Sequence, residues 1–189
     1  IHGVIHSAIV LKDKLISEMT EEDLRAVLAP KLDGSLVLFK LFEEARLDWL
    51  MLFSSVMSYL CNKGQSNYSA GSCFQDALSE YYSGKVAFPV KIVNWGFWGS
   101  VGVVAGEDYR KRLSVQGIDS IENQEGIEAI NRFIGCDLQQ IMVLKAQHGV
   151  LQKLKVDFTK KIMLQPPSIR INGRFNEGRI SLTHEDDET

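Results

Sequence analysis

The sequence predicts an α/β domain, a parallel sheet flanked by helices, and three observations carry that reading. Short apolar runs of strand length, such as Leu50-Met51-Leu52-Phe53 and Val90-Lys91-Ile92-Val93, alternate with longer stretches of helical period. The first residues, Ile1 to Ala8, read as a buried strand from the middle of a sheet, the type that a parallel sheet covered on both faces requires. The run Leu50 to Ser55 ends in a Ser-Ser pair and is followed by a loop and then a helical pattern, which places its end at the carboxyl edge of the sheet, where open α/β folds bind ligands.

The elements follow in order. After the strand at 1–8, Thr20-Glu21-Glu22-Asp23 starts a helix, with Thr20 as N-cap and acidic side chains in the first turn, where the helix dipole favours them. Pro30 bends or restarts this helix, so that Ala29 ends one piece and Lys31 begins another that runs to about Ala45. Residues 47–54 form a strand, 68–82 a helix and 86–94 a strand, with Phe88, Val90, Ile92 and Val93 as its apolar side chains. Beyond Gly99 the pattern loosens into a short helix at 107–115, a helix at 124–134 and a last strand at 140–144.

Thirteen residues separate Ser55 from Tyr68, and the strand-loop-helix arrangement brings hydroxyl and phenol to the same sheet edge. Such a pair suits carbonyl reduction: one hydroxyl holds the carbonyl oxygen while the phenol gives it a proton. A tyrosine with an ordinary pKa of about 10 needs help to do so, and a nearby ammonium supplies it.

Five segments in order carry a resemblance to a family. Gly3-Val4-Ile5-His6-Ser7-Ala8, Pro30-Lys31-Leu32-Asp33-Gly34, Leu52-Phe53-Ser54-Ser55, Gly64-Gln65-Ser66-Asn67-Tyr68-Ser69-Ala70-Gly71 and Asn94-Trp95-Gly96-Phe97-Trp98-Gly99 together resemble the ketoreductase domain of modular polyketide synthases, within the short-chain dehydrogenase/reductase superfamily. The wording is most similar to bacterial assembly lines that use a separate acyltransferase. The resemblance spans roughly residues 1 to 155 and implies a Rossmann-like parallel sheet, the C-terminal portion of that fold. No G-x-G-x-x-G occurs in the chain, so the glycine-rich half that cradles a pyrophosphate is expected from another chain or a further segment. Residues 1–160 are then the C-terminal half of the catalytic domain, and 161–189 a linker or docking tail.

The family's roles transfer to individual positions as implications of the resemblance. Tyr68 protonates the alkoxide as hydride arrives from NADPH, Ser55 holds the ketone oxygen, and Lys31 lowers the phenol pKa and binds the nicotinamide ribose. Ser72 completes the catalytic set at a position where the superfamily usually has lysine and polyketide ketoreductases have asparagine. It departs from both patterns. Further cofactor contacts fall on Ser7, Ala8, Trp95 and Gly96, with Trp95 either lining the pocket or simply packing. Asp13 and Leu60 fall at stereochemical positions: the aspartate is associated with D-configured alcohols, and L-forming relatives carry tryptophan eight residues before the tyrosine, where Leu60 stands. Lys12 replaces the first aspartate of that fingerprint. Val101 lies in the segment where the family carries its lid over the substrate, and Gly102 and Gly106 are spaced for hinge motion.

Other residues admit two readings. Arg110-Lys111-Arg112 is either a solvated helix face or a landing patch for an acidic acyl carrier protein. His6 reads as a satisfied core histidine rather than a cofactor contact. Composition narrows the classes: 45% hydrophobic and 24% charged residues are ordinary globular usage, and a net charge of −3 gives no nucleic-acid footprint. No apolar run approaches the roughly 18 residues of a membrane span. Cys61, Cys73 and Cys136 have no metal-type spacing and an odd count, so they read as reduced thiols of a cytoplasmic protein. The tail's Gln165-Pro166-Pro167, its hairpin-like Asn172-Gly173 and its acidic end read as linker.

Two functions remain. The first is an NADPH-dependent β-ketoacyl reductase acting on carrier-tethered thioesters beside other synthase domains. The second is a catalytically silent ketoreductase-like scaffold.

Overall fold

The computed structural model describes residues 1–60, 62–103, 107–160, 170–171 and 174–175. In chain order the elements are β1 (Gly3–His6), α1 (Glu21–Phe42), β2 (Trp49–Ser55), a 3₁₀ turn (Val56–Ser58), α2 (Ser66–Tyr82), β3 (Val90–Trp95), α3 (Glu107–Val115), β4 (Ile118–Asp119), α4 (Asn123–Ile134), β5 (Gln140–Val143), β6 (Lys145–Ala146), α5 (His148–Lys153), β7 (Arg170–Ile171) and β8 (Arg174–Phe175). Four strands make the main sheet in the order β1-β2-β3-β5, all parallel. Strand alternation then sorts the apolar side chains onto two faces. Leu50, Leu52, Val90 and Ile92 pack with Phe39 of α1 and Leu78 of α2, whereas Met51, Val93 and Trp95 pack with Phe133 of α4 on the other face. The result is the helix-sheet-helix layering expected from the alternating sequence.

Two expectations are corrected. Helix α1 runs unbroken through Pro30 and ends at Phe42. A proline inside a helix loses a backbone bond at a cost of about 3 kcal/mol, but Val27, Lys31, Ser35 and Phe39 form one buried stripe on both sides of it. Packing along that stripe carries the helix across. The N-cap is as expected, since Thr20 Oγ1 accepts from Asp23 N at 3.1 Å and the Asp23 side chain returns to Thr20. The second correction concerns β1, which is four residues long and has a neighbour on one side only among the described residues. Only His6 of the strand is buried; its Nε2 donates to the Pro30 carbonyl at 2.8 Å, and burial lowers its pKa. The satisfied core histidine is what the sequence implied.

The small antiparallel pair β4-β6 and the helix α5 were not foreseen. In the tail, Arg170 pairs with Phe175 and Ile171 with Arg174, while the Asn172-Gly173 turn lies outside the described residues. Cys73 and Cys136 are in no disulfide, and Cys61 is outside the described residues. Among the described residues, no helix is long and apolar enough to cross a membrane.

Candidate active site

Ser55 is the last residue of β2 and also the cap of the 3₁₀ turn, so its Oγ accepts from Met57 N at 3.2 Å while its hydroxyl hydrogen remains available to donate. The backbone around it is clamped. Ser58 Oγ donates to the Ser55 carbonyl at 2.9 Å, and the buried amide nitrogen of Asn94 lies 3.2 Å from that carbonyl, 3.2 Å from Ser54 Oγ and 3.0 Å from Asp76 Oδ2. Gln140 Nε2 in turn donates to Asn94 Oδ1 at 2.7 Å. One asparagine therefore joins β2, β3, β5 and α2 beneath the site.

Tyr68 stands in the first turn of α2, where Asn67 fixes the local chain: its Oδ1 accepts from Tyr68 N at 2.8 Å and its Nδ2 donates to the Lys12 carbonyl at 3.0 Å. Ser55 and Tyr68 share the wall of one cavity of about 460 Å³, together with Trp95, Gly96 and the apolar Leu11, Leu15 and Met57. Burial raises the phenol pKa, the Ser55 hydroxyl beside it pulls the value back down, and the Asp13 carboxylate adds a smaller push upward.

Lys31 is buried on α1, with its Nζ 5.3 Å from the centroid of the Tyr68 ring. The approach depends on Gly71, because a Cβ there would come within 3.0 Å of the Lys31 stem. The ammonium donates to the Phe53 carbonyl at 3.0 Å and to Gln75 Oε1 at 2.7 Å, and Gln75 Nε2 donates on to Ser35 Oγ at 3.2 Å. Burial pushes the lysine pKa down to about 8, against the opposing pull of Asp76. The arrangement is a phenol and a hydroxyl on the wall of one largely apolar cavity, with a buried ammonium behind the ring.

A comparison with protein families matches the KR domain model over residues 1–100. The chain belongs to the ketoreductase domains of polyketide synthases. It is 44% identical over 145 residues to polyketide synthase PksN of Bacillus subtilis and 42% identical over 147 residues to polyketide synthase ThaG of Burkholderia thailandensis, covering 77% and 78% of this chain. It spans only about 3% of the length of those relatives. Among solved structures, a ketoreductase domain from the bacillaene assembly line superposes with a TM-score of 0.71 at 34% identity, over 82% of this chain and 38% of that one. An N-terminal ketoreductase from the macrolactin assembly line gives 0.70 at 28%, over 81% and 30%. The chain is thus part of a ketoreductase domain with the short-chain dehydrogenase/reductase fold.

Within this ketoreductase, not every expected residue meets at the cavity. Trp95 both lines it and packs in the core, and its Nε1 is the one buried side-chain polar atom without a partner among the described residues. Lys31, Ser72, Asp13, Leu60, Val101, Ser7 and Ala8 are not on the cavity wall. The expected lowering of the phenol pKa by Lys31 is absent, because the ammonium is turned to Phe53 and Gln75 and burial dominates at the phenol. Ser72 is fully buried, and its Oγ donates back to the Tyr68 carbonyl at 3.0 Å, so its hydroxyl is spent inside α2 rather than offered to a relay. Ser7 and Ala8 are exposed just past β1, and Val101 is 39% exposed. Gly102 adopts φ of +87°, a hinge-compatible conformation, while residues 104–106 lie outside the described residues. Arg110 and Lys111 are exposed, with Lys111 Nζ 3.8 Å from Glu107.

Sequence reasoning missed Gln75 and Asn94, the two amides that hold Lys31 and Ser55 in place. A signal existed for Gln75, which lies seven residues after Tyr68 and so on the same face of the helix. The cofactor test is met at one end only. The Lys31 ammonium beside a phenol and the partnerless Trp95 Nε1 fit the nicotinamide-ribose end of a dinucleotide, whereas the described residues contain no phosphate cradle.

Proposed function

We propose that this chain forms the catalytic half of an NADPH-dependent reductase that converts a β-ketoacyl thioester on an acyl carrier protein into a 3-hydroxyacyl thioester of D configuration. The observation that carries the reading is Ser55 and Tyr68 side by side on one cavity wall with the Lys31 ammonium behind the phenol. NADPH, when bound, supplies hydride to the carbonyl carbon. Ser55 donates to the ketone oxygen, and the clamp by Asn94 and Ser58 keeps that donor at the strand end. Tyr68 gives the oxygen its proton. Its raised pKa keeps the phenol protonated near neutrality, as an acid requires. Lys31, Tyr68, Trp95 and Gly96 would hold the nicotinamide end, with Ser7 and Ala8 at the exposed end of β1.

The phosphate-binding half would complete the outer edge of β1 and cover the exposed Leu36, Val37 and Leu41 of α1. Other synthase domains, a carrier protein and a cytoplasmic setting belong to the same reading. Ser72, turned into its own helix, favours the second reading of a silent scaffold. NADPH oxidation with a β-ketoacyl N-acetylcysteamine thioester, using this chain within its intact domain, decides between them: turnover above the enzyme-free rate supports the reductase, and none establishes the scaffold.

A further inference from the structure

Two hydrogen bonds fix where the Lys31 ammonium points. One goes to the Phe53 carbonyl of β2 at 3.0 Å and the other to Gln75 Oε1 of α2 at 2.7 Å. An ammonium can only donate, so the amide turns its oxygen to Lys31, and its Nε2 donates to Ser35 Oγ at 3.2 Å. Ser35 stands one turn after Lys31 on α1, so one helix supplies both ends of this chain and α2 supplies the link. All three side chains are buried, Gln75 and Ser35 completely, and solvent does not compete for either bond. Ser72, nearer Tyr68 on α2, takes no part, since its hydroxyl donates to the Tyr68 carbonyl at 3.0 Å. The consequence shows at the phenol. The ammonium stands over the Tyr68 ring, 5.3 Å from its centroid, yet the acidity of Tyr68 is set by burial, the Ser55 hydroxyl and the Asp13 carboxylate. Asp13 Oδ2 in turn accepts from Gln65 Nε2 at 2.9 Å and from the Tyr109 hydroxyl at 3.1 Å. The remaining ionisable neighbours of the ammonium are Asp76 of α2, which favours its charge, and His6 of β1, whose pKa burial and Lys31 itself lower.

We propose that Gln75 is a positioning residue of this reductase: its amide oxygen keeps the Lys31 ammonium against β2 and off the phenol oxygen, so that Tyr68 works as a neutral acid rather than as half of an ion pair. The proposal rests on the ketoreductase reading above. Its physical ground is competition for one cation. A phenolate attracts an ammonium more strongly than a neutral amide does, and burial sharpens that attraction, so an acceptor already bonded to the ammonium is what keeps the two apart. The pair therefore competes over which group releases the first proton as pH rises. In the native domain that proton comes from Lys31, near pH 8, while burial keeps the phenol protonated beyond its ordinary 10. Without the amide oxygen the ammonium is free to turn to the phenol oxygen, and the first proton then leaves Tyr68 while Lys31 stays charged beside the phenolate.

The test titrates the Tyr68 phenol in the intact domain by phenolate absorbance, each protein being read against its own Tyr68→Phe counterpart. The proteins are the native domain, Gln75→Leu, Gln75→Glu, Ser35→Ala and the Lys31→Met/Gln75→Leu double variant. In Gln75→Leu the phenolate should appear at least about one pH unit earlier than in the native domain, the shift that an opposite charge at close range produces. Gln75→Glu still accepts from Lys31 and should leave the phenol at or above its native position. The double variant has no ammonium to turn and should return the phenol to the native range; an early phenolate there would come from loosened packing and would overturn the proposal. Ser35→Ala frees the amide nitrogen and should move the phenol the same way by less. In turnover, the alkaline limb of kcat should move down together with the phenol, because the acid must be protonated to act. An unshifted phenol in Gln75→Leu, or in Ser35→Ala if the leucine variant does not fold, also overturns the proposal. The titration needs no turnover, so the shift in a domain that reduces nothing would remove the ketoreductase reading and leave the hold of Gln75 on Lys31 standing. An unshifted phenol in an active domain would remove the role of Gln75 alone.

Discussion

Replacing Lys31 with methionine keeps the aliphatic stem against Gly71 and deletes an ammonium that burial holds at a pKa of about 8, below its ordinary 10.5. Below pH 8 the lysine is protonated in both folded and unfolded chains, and the cost of burying its charge is fully present. Between about pH 8 and 10.5 the folded chain releases the proton that the unfolded chain still holds, so stability rises with pH. The difference in pKa corresponds to about 3 kcal/mol across that window. Methionine lacks this term. It also leaves the Phe53 carbonyl and Gln75 Oε1 without their donor, at about 1–3 kcal/mol each and independently of pH. The stability of Lys31→Met relative to the native domain should therefore fall by about 3 kcal/mol between pH 7.5 and 10.5. Burial also lowers the pKa of Lys91 and raises that of Tyr68, but both groups are present in the two proteins and drop out of the difference. Urea unfolding followed by tryptophan fluorescence at three pH values in this window measures it. Parallel pH profiles for the two proteins would refute a buried, proton-releasing Lys31.

Three further outcomes are expected. Tyr68→Phe removes the acid and keeps the ring, so reduction should drop by roughly 10²–10⁴-fold while NADPH binding is retained, and near-native turnover would show that another group protonates the alkoxide. Residues 1–189 alone should not bind NADPH measurably in calorimetry, in contrast to the intact domain; micromolar binding by the chain alone would overturn the assignment of the phosphate site to the other half. The product should be the D alcohol by chiral chromatography, since Leu60 stands where L-forming relatives carry tryptophan and only about 1.4 kcal/mol is needed for a tenfold preference. An excess of the L alcohol would contradict it.

Much of the architecture was legible because its signals are local. The apolar runs at 47–54, 86–94 and 140–144 are β2, β3 and β5 within a few residues, and the helical patterns at 68–82, 107–115 and 124–134 match α2, α3 and α4. What failed was decided by distant contacts. Pro30 reads as a breaker, yet a buried stripe reaching from Val27 to Phe39 holds the helix together. The pair β4-β6 has two residues per strand, too few to show a period. The meeting of Ser55 and Tyr68 at one cavity was visible from spacing alone, whereas its support was not: Gln75 lies 44 residues from Lys31, Asn94 lies 39 from Ser55, and Tyr109 lies 96 from Asp13. Ser72 shows the converse, because a residue that the sequence assigns to the site spends its hydroxyl on its own helix.

The Asn94 junction separates two jobs that could have been entangled. The strand ends that present Ser55 are bonded to one another and to α2 through a single buried amide, while much of the apolar cavity wall comes from residues 9–15, the 3₁₀ turn and α3. Leu11, Leu15, Met57 and Leu113 can therefore be exchanged for side chains of other size without disturbing the platform on which Ser55 rests. For anyone retailoring such a module to a bulkier intermediate, the apolar walls are the adjustable part and Asn94 is the residue to leave alone.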